Sequence, residues 1–333
     1  MTLADAKAAP PIHSDASGSE SEGSVRGDGS EEDFLAGIDL DDTAIELTHS
    51  RMNTLEGLGL ERFTKLEYLG CRRNQINDMR PLSGLCTLRE VDLYDNRIKH
   101  IEGLEQLEQL ESLDLSFNKI RKIEHLETLH KLRELFLVSN KIQAIENIGM
   151  LTNLTYLELG ANRIREICGL EQLEQLEQLF LGKNKITRLE NLSCLQRLRV
   201  LSIQSNRITK IEGLEELQNL EELYLSHNAI TRIEGLESNT KLTILDVTSN
   251  QLTELSGIRH LEHLEDLWAS GNKLELFENI ESECAPIKSL QTVYFEFNPL
   301  QRAQPANYRR KIMMALPQVT QIDATLCRPA GAQ

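Results

Sequence analysis

The sequence predicts an α/β solenoid: a horseshoe with a parallel sheet on its concave face, 3-10 or helical returns on its convex face, and a helical cap at its C-terminal end. Two observations predict it. Asn stands at 74, 96, 118, 140, 162, 184, 206, 228, 250 and 272, each 22 residues after the last. Around each Asn runs the same apolar frame, as in Leu110, Leu113, Leu115, Asn118, Ile120, Ile123, Leu126 and Leu129, with Leu132 opening the next unit. Asn298 follows Asn272 after 26 residues, and Ser50 holds the equivalent place 24 residues before Asn74, which makes about twelve units. A fixed period of this length is the signature of stacked repeats.

The frame is the leucine-rich repeat pattern L-x-x-L-x-L-x-x-N-x-I. Leu113-x-Leu115 alternates with period two, which predicts a short strand with its leucines turned inward. Ile120, Ile123, Leu126 and Leu129 are three apart, the spacing of a tight 3-10-like return. One unit cannot bury its own apolar edge, but stacked units share a core. The Asn amide donates and accepts, so at a buried turn it satisfies backbone groups of neighbouring units. Cys71 occupies a strand-leucine position and reads as a small core residue.

A stacked core needs seals at both ends. Ile38 to Leu47 is read as the start of the first strand, with residues 31–42 partly shielding that end. At the other end, Tyr308 to Leu316 reads as an amphipathic helix stopped before Pro317, followed by Ile322-Asp323. The domain reading is therefore a tail over 1–42, repeats over 43–298 and a cap over 299–333. The tail holds eleven acids and two bases, −9 of the total −16. Rich in Ser, Gly and Asp, it cannot offset the entropy of ordering and is read as disordered. Ser17, Ser19 and Ser30 each precede an acid by three residues, the pattern of acidophilic kinase sites, although any Ser in an acidic tail matches it.

No apolar run is long enough for a transmembrane helix, and the N-terminus lacks the apolar stretch of a signal peptide. The six cysteines are accordingly expected as thiols, and without C-x-x-C spacing they point to no zinc site. No phosphate-binding glycine loop, nucleophile elbow or H-E-x-x-H motif occurs. His260 and His263 lack a third ligand and read as solvent-facing return positions. The expectation is a non-enzyme with no cofactor, no catalytic residues and no metal site.

The information lies on the concave face, where residues at Asn−6, Asn−4 and Asn−2 point outward. The Asn−4 row reads Asp92, Asp114, Phe136, Glu158, Phe180, Ser202, Tyr224, Asp246, Trp268 and Tyr294. Of the fifteen aromatics in the chain, five fall on this row, including the single Trp. Strands are about 4.8 Å apart, so the row is roughly 43 Å long. Across all three outward positions stand ten acids, Asp266 among them, against one base, Arg72. Bases collect instead at Asn+1: Arg97, Lys119, Lys141, Arg163, Lys185, Arg207 and Lys273. Aromatics rimmed by charge mark a protein-binding patch. The expected partner surface is basic and partly apolar. The acidic face disfavours nucleic acid.

These units resemble the protein phosphatase 1 regulatory subunit 7 family. The resemblance covers about 43–326. It rests on I-E-G-L as in Ile101-Glu102-Gly103-Leu104 and Ile211-Glu212-Gly213-Leu214, on Leu135-Phe136-Leu137-Val138 and Leu223-Tyr224-Leu225-Ser226-His227-Asn228, and on the closing Gln321-Ile322-Asp323-Ala324-Thr325. It implies a non-catalytic subunit, cytoplasmic and nuclear, that binds the phosphatase catalytic subunit through the concave face and leaves its active site open. A third, inhibitory subunit joins in that family, and the chain is expected as a monomer before assembly, without membrane or nucleic-acid partners. Matched residue by residue, the implied contacts are Asp114, Phe136, Glu158, Phe180, Asp246, Asp266, Trp268 and Tyr294; Tyr224 joins them from the aromatic row. Ser202 interrupts the row. The competing reading is a leucine-rich scaffold subunit of a spliceosomal or axonemal complex, which would share repeat and cap but lack the stripe.

Overall fold

A computed structural model of the chain describes Leu35 and residues 37–327. Most of the tail reading, including Ser17, Ser19 and Ser30, lies outside these residues.

Twelve three-residue strands stack in chain order, all parallel. They are β1 (Ala44–Glu46), β2 (Tyr68–Gly70), β3 (Glu90–Asp92), β4 (Ser112–Asp114), β5 (Glu134–Phe136) and β6 (Tyr156–Glu158). Next come β7 (Gln178–Phe180), β8 (Val200–Ser202), β9 (Glu222–Tyr224), β10 (Ile244–Asp246), β11 (Asp266–Trp268) and β12 (Thr292–Tyr294). β13 (Gln321–Ile322) continues the parallel order, and β14 (Thr325–Leu326) turns back antiparallel against it. Register is in phase throughout, as in Leu113↔Leu135 and Leu135↔Leu157. Each central strand leucine is buried, and with the returns they form one continuous core from Leu35 to Ile322. The first strand is shorter than the Ile38–Leu47 segment suggested. Residues before it instead bring Leu35, 3% exposed, and half-buried Ile38 onto the first unit.

The return was expected to be 3-10-like. Continuous 3-10 helix occurs only at Leu60–Arg62 and Arg80–Leu82 among the described residues. Elsewhere the return is a chain of single turns. Leu107 N–H donates to Leu104 C=O and Leu110 N–H to Leu107 C=O, both at 2.9 Å. The three-residue leucine spacing is thus also the hydrogen-bond spacing, so each turn closes on a buried leucine. The 26-residue unit before Asn298 uses its extra length for helix α1 (Phe277–Cys284).

The I-E-G-L glycine has a steric cause. Gly213 sits at φ 70°, and a Cβ there would lie 2.8 Å from Leu189 O of the preceding turn. Where Asn191 takes that slot at φ 59°, its Nδ2 donates to Ile167 O at 2.7 Å instead.

The asparagines form a ladder. Asn162 Nδ2 donates to Leu137 O of the preceding unit at 2.8 Å and to Leu159 O of its own at 3.1 Å. Its Oδ1 accepts from Ile142 N–H, also in the preceding unit, at 3.0 Å. The same pattern runs from Asn74 to Asn298. The residue before each Asn is left-handed, as at Ala161 (φ 55°), and only at Gly271 is that residue a glycine. A left-handed non-glycine is strained, and glycine relieves the strain at some entropic cost. Ala161→Gly is therefore expected to stabilise the chain by about 0.5–1 kcal/mol, read from the urea midpoint. A lowered midpoint would refute strain at this turn.

Two helices, α2 (Pro299–Ala303) and α3 (Tyr308–Ala315), precede β13. α3 ends where the sequence places Pro317, and it buries Tyr308 and Ile312. Asp323 stands in for the carbonyl of a next strand: its Oδ1 accepts from Phe295 N–H at 2.9 Å and Glu296 N–H at 3.1 Å, where in an inner unit Leu137 N–H donates to Glu158 O. The Tyr308 hydroxyl donates to Asp323 Oδ2 at 3.0 Å.

Candidate functional site

Outward positions on neighbouring strands are brought side by side by the in-phase register. Asp114 pairs with Phe136, Phe136 with Glu158, Glu158 with Phe180, Phe180 with Ser202 and Ser202 with Tyr224. The row continues through Asp246 and Trp268 to Tyr294. Asp266 lies two residues before Trp268 on the same strand. All nine predicted site residues therefore lie on one face of the sheet.

The face differs from the sequence reading in one respect. The aromatics were read as exposed, yet all five are half-buried, and Asp246 is 6% exposed. At a strand spacing of about 4.8 Å, large side chains on one face lie against their lateral neighbours.

That packing gathers the row into two aromatic groups. Tyr156, at Asn−6, fills the space between Phe136 and Phe180, with ring centroids 4.9 and 5.1 Å away. Trp268 meets Tyr224 at 6.2 Å and Tyr294, edge-on, at 6.0 Å. Ser202, 4% exposed, separates the groups. Tyr156 was missed because the aromatic count followed Asn−4 alone, whereas side chains two residues apart share a face. A smaller group also went unseen: Arg72 stacks over Tyr94 at 4.4 Å, and Tyr94 meets Phe117 at 4.8 Å. Arg72 also pairs with Asp92 at 3.0 Å, so the one base on the face is already engaged.

Carboxylates frame these rings. The Tyr224 hydroxyl donates to Glu222 Oε2 at 2.7 Å and the Tyr156 hydroxyl to Glu158 Oε2 at 3.3 Å. Burial pushes the carboxyl groups of Asp114 and Glu158 up from the usual range, against the opposing effects of Ser116 N–H and the Tyr156 hydroxyl. Asp92 is likewise raised by burial, although Tyr94 N–H and Arg72 act the other way. The Trp268 Nε1 donor is buried without a partner. The face thus holds poorly solvated negative charge, which a basic partner would relieve, beside a buried donor that lacks an acceptor.

The raised Asp114 carries a stability consequence. A carboxylate raised in the folded state penalises folding above its folded pKa, and the penalty disappears below its unfolded pKa. Asp114→Asn keeps an acceptor for Ser116 N–H, which now donates to Asp114 Oδ1 at 2.8 Å. It is expected to raise the melting temperature at pH 7, with the gain fading as pH falls through the carboxylate range. An equal gain at pH 3 and pH 7 would mean that charge burial is not the cause.

No group of three or more His, Cys, Asp or Glu suited to a metal occurs among the described residues. His260 Nε2 lies 2.9 Å from Leu236 O. No described helix is long and apolar enough to cross a membrane.

Comparison with known proteins places this geometry. Family models match residues 73–183 as "Leucine-rich repeat" and residues 174–216 and 218–260 as "Leucine Rich repeats (2 copies)". The chain is 51% identical over 51 residues to protein phosphatase 1 regulatory subunit SDS22 of Schizosaccharomyces pombe, a stretch covering 15% of each chain. It is 66% identical over 41 residues to protein phosphatase 1 regulatory subunit 7 of Bos taurus, covering 12% of this chain and 11% of that one. The matches thus span only a small part of these relatives. Among solved structures, a Listeria monocytogenes internalin matches at TM-score 0.68 and 24% identity, covering 86% of this chain and 87% of that one, and shows the fold alone. A leucine-rich repeat protein of Leptospira interrogans matches at TM-score 0.66 and 27% identity, covering 79% and 74%. The chain is a leucine-rich repeat protein, and it is homologous, over a short stretch, to the protein phosphatase 1 regulatory subunits.

Proposed function

We propose that this chain is a non-catalytic regulatory subunit that binds the catalytic subunit of protein phosphatase 1 through the concave face of its sheet. The observation that carries the reading is the pair of aromatic groups, Phe136–Tyr156–Phe180 and Tyr224–Trp268–Tyr294, set among raised carboxylates. The local identity to regulatory subunits of that phosphatase supports the choice of partner. Aromatics seated among carboxylates fit a basic, partly apolar protein surface. A third, inhibitory subunit, a monomeric state before assembly, and a cytoplasmic and nuclear location belong to the same proposal.

The test is affinity purification of the tagged chain from cells, with identification of the main stoichiometric partner. The phosphatase catalytic subunit is expected. Recovery of a spliceosomal or axonemal assembly without phosphatase would replace this reading with that of a scaffold.

A further inference from the structure

A second surface carries the opposite charge. The six residues at Asn+1 from Arg97 to Arg207 are stacked in register, because each donates its backbone N–H to the preceding turn at 2.8 Å. Lys119 donates to Ile98 O, Lys141 to Ile120 O, Arg163 to Ile142 O, Lys185 to Ile164 O and Arg207 to Ile186 O. Neutral Gln75 and Ala229 hold the equivalent places at either end. Like charges on adjacent rungs about 4.8 Å apart repel, so the row is a cost to the isolated fold.

The row is also unpaired. Among the described residues none of these six has an ion-pair or side-chain hydrogen-bond partner. Two bases three positions later in the repeat are used internally: Arg188 Nε lies 3.5 Å from Glu212, and Lys210 Nζ lies 3.5 Å from Glu212 and 3.9 Å from Glu234. From Asn−1 to Asn+4 of these six units there are thirteen Lys and Arg against Asp95 and Glu166. Arg97, Lys119, Arg163 and Arg207 are exposed, and Lys141 and Lys185 half-buried.

We propose that this strip is a second docking surface, taking an extended acidic segment of a partner polypeptide. Its shape favours that occupant. Carboxylates bound it on both sides, those of the sheet face and those of the Asn+6 row such as Glu124 and Glu146. A duplex would set phosphates over both. A single nucleic-acid strand wants aromatic platforms for its bases, and the strip offers Phe117 alone. An extended peptide is narrow enough to lie along the row and needs only carboxylates. The proposal does not depend on what occupies the sheet face.

The test uses the full chain and a fluorescent dodecapeptide of alternating Asp and Glu, read by anisotropy. The wild type is expected to bind it, with affinity falling as salt rises. The variant Lys119→Gln/Lys141→Gln/Arg163→Gln/Lys185→Gln, checked for an unchanged melt, is expected to lose at least about tenfold. Arg89→Gln/Arg133→Gln/Arg197→Gln/Arg199→Gln, with the same loss of charge elsewhere, is expected to bind within about twofold of wild type. Failure of the wild type to bind, an equal loss in both variants, or tighter binding of a twelve-nucleotide oligothymidine would each overturn the assignment.

Discussion

Replacing Phe136 and Trp268 together by alanine is expected to abolish capture of the phosphatase catalytic subunit while leaving the solenoid folded. Each ring anchors one of the two aromatic groups, and Trp268 touches two neighbours. Aromatic anchors at the centre of an interface cost about 2 kcal/mol or more each on truncation. The two residues stand six strands apart, roughly 29 Å, so their losses should add to about 4 kcal/mol. That corresponds to about a thousandfold in Kd. The fold survives because the leucines beneath, Leu135 and Leu267, face the other side of the sheet and remain buried. Lost ring contacts cost about 0.5–1.5 kcal/mol per pair, a small fraction of a large repeat core. Calorimetric titration with purified catalytic subunit, beside a thermal melt, makes the measurement. Binding within tenfold of wild type would remove the stripe from the site.

Asn162→Ala is expected to be the most damaging single change to stability considered, at about 4 kcal/mol. The amide satisfies buried groups in two units at once, through Leu137 O, Leu159 O and Ile142 N–H. Alanine leaves Ile142 N–H inside the core without a partner, at about 1–3 kcal/mol, and takes one amide donor from each carbonyl, at about 0.5–1.5 kcal/mol each, because Asn140 Nδ2 still reaches Leu137 O and Asn184 Nδ2 still reaches Leu159 O. The loss should appear as a lowered urea midpoint, with little change in slope if unfolding stays cooperative. A loss below about 1 kcal/mol would mean that water enters the turn and takes over the bonds.

The fold was legible because its period is written in large, buried residues. Leu113, Asn118 and Ile120 recur in almost every unit, and the structure uses each for one purpose: core, ladder and core again. What escaped notice was set by lateral packing rather than by sequence distance. Tyr156 lies 20 residues after Phe136 and 24 before Phe180, so it is off the 22-residue beat, yet it touches both rings. Tyr94 and Phe117 escaped for the same reason. Asn239 takes a leucine position at 0% exposure, and its Nδ2 donates to Leu214 O and Leu217 O. Its amide makes bonds that no periodic reading of apolar residues contains.

The direction of the asparagine ladder has a consequence for how the chain is made. Each Asn completes the turn before it, never the turn after. A nascent chain leaving the ribosome therefore always ends in a turn whose backbone groups await the next rung. Every intermediate length is unfinished at its growing end, and the last unit is finished differently: Leu300 N–H, the group a next Asn would serve, turns back to Leu274 O at 3.0 Å, and Asp323 takes the amides of Phe295 and Glu296. Closure thus needs no further asparagine, and a ribosome that stalls before this segment releases an open, adhesive end.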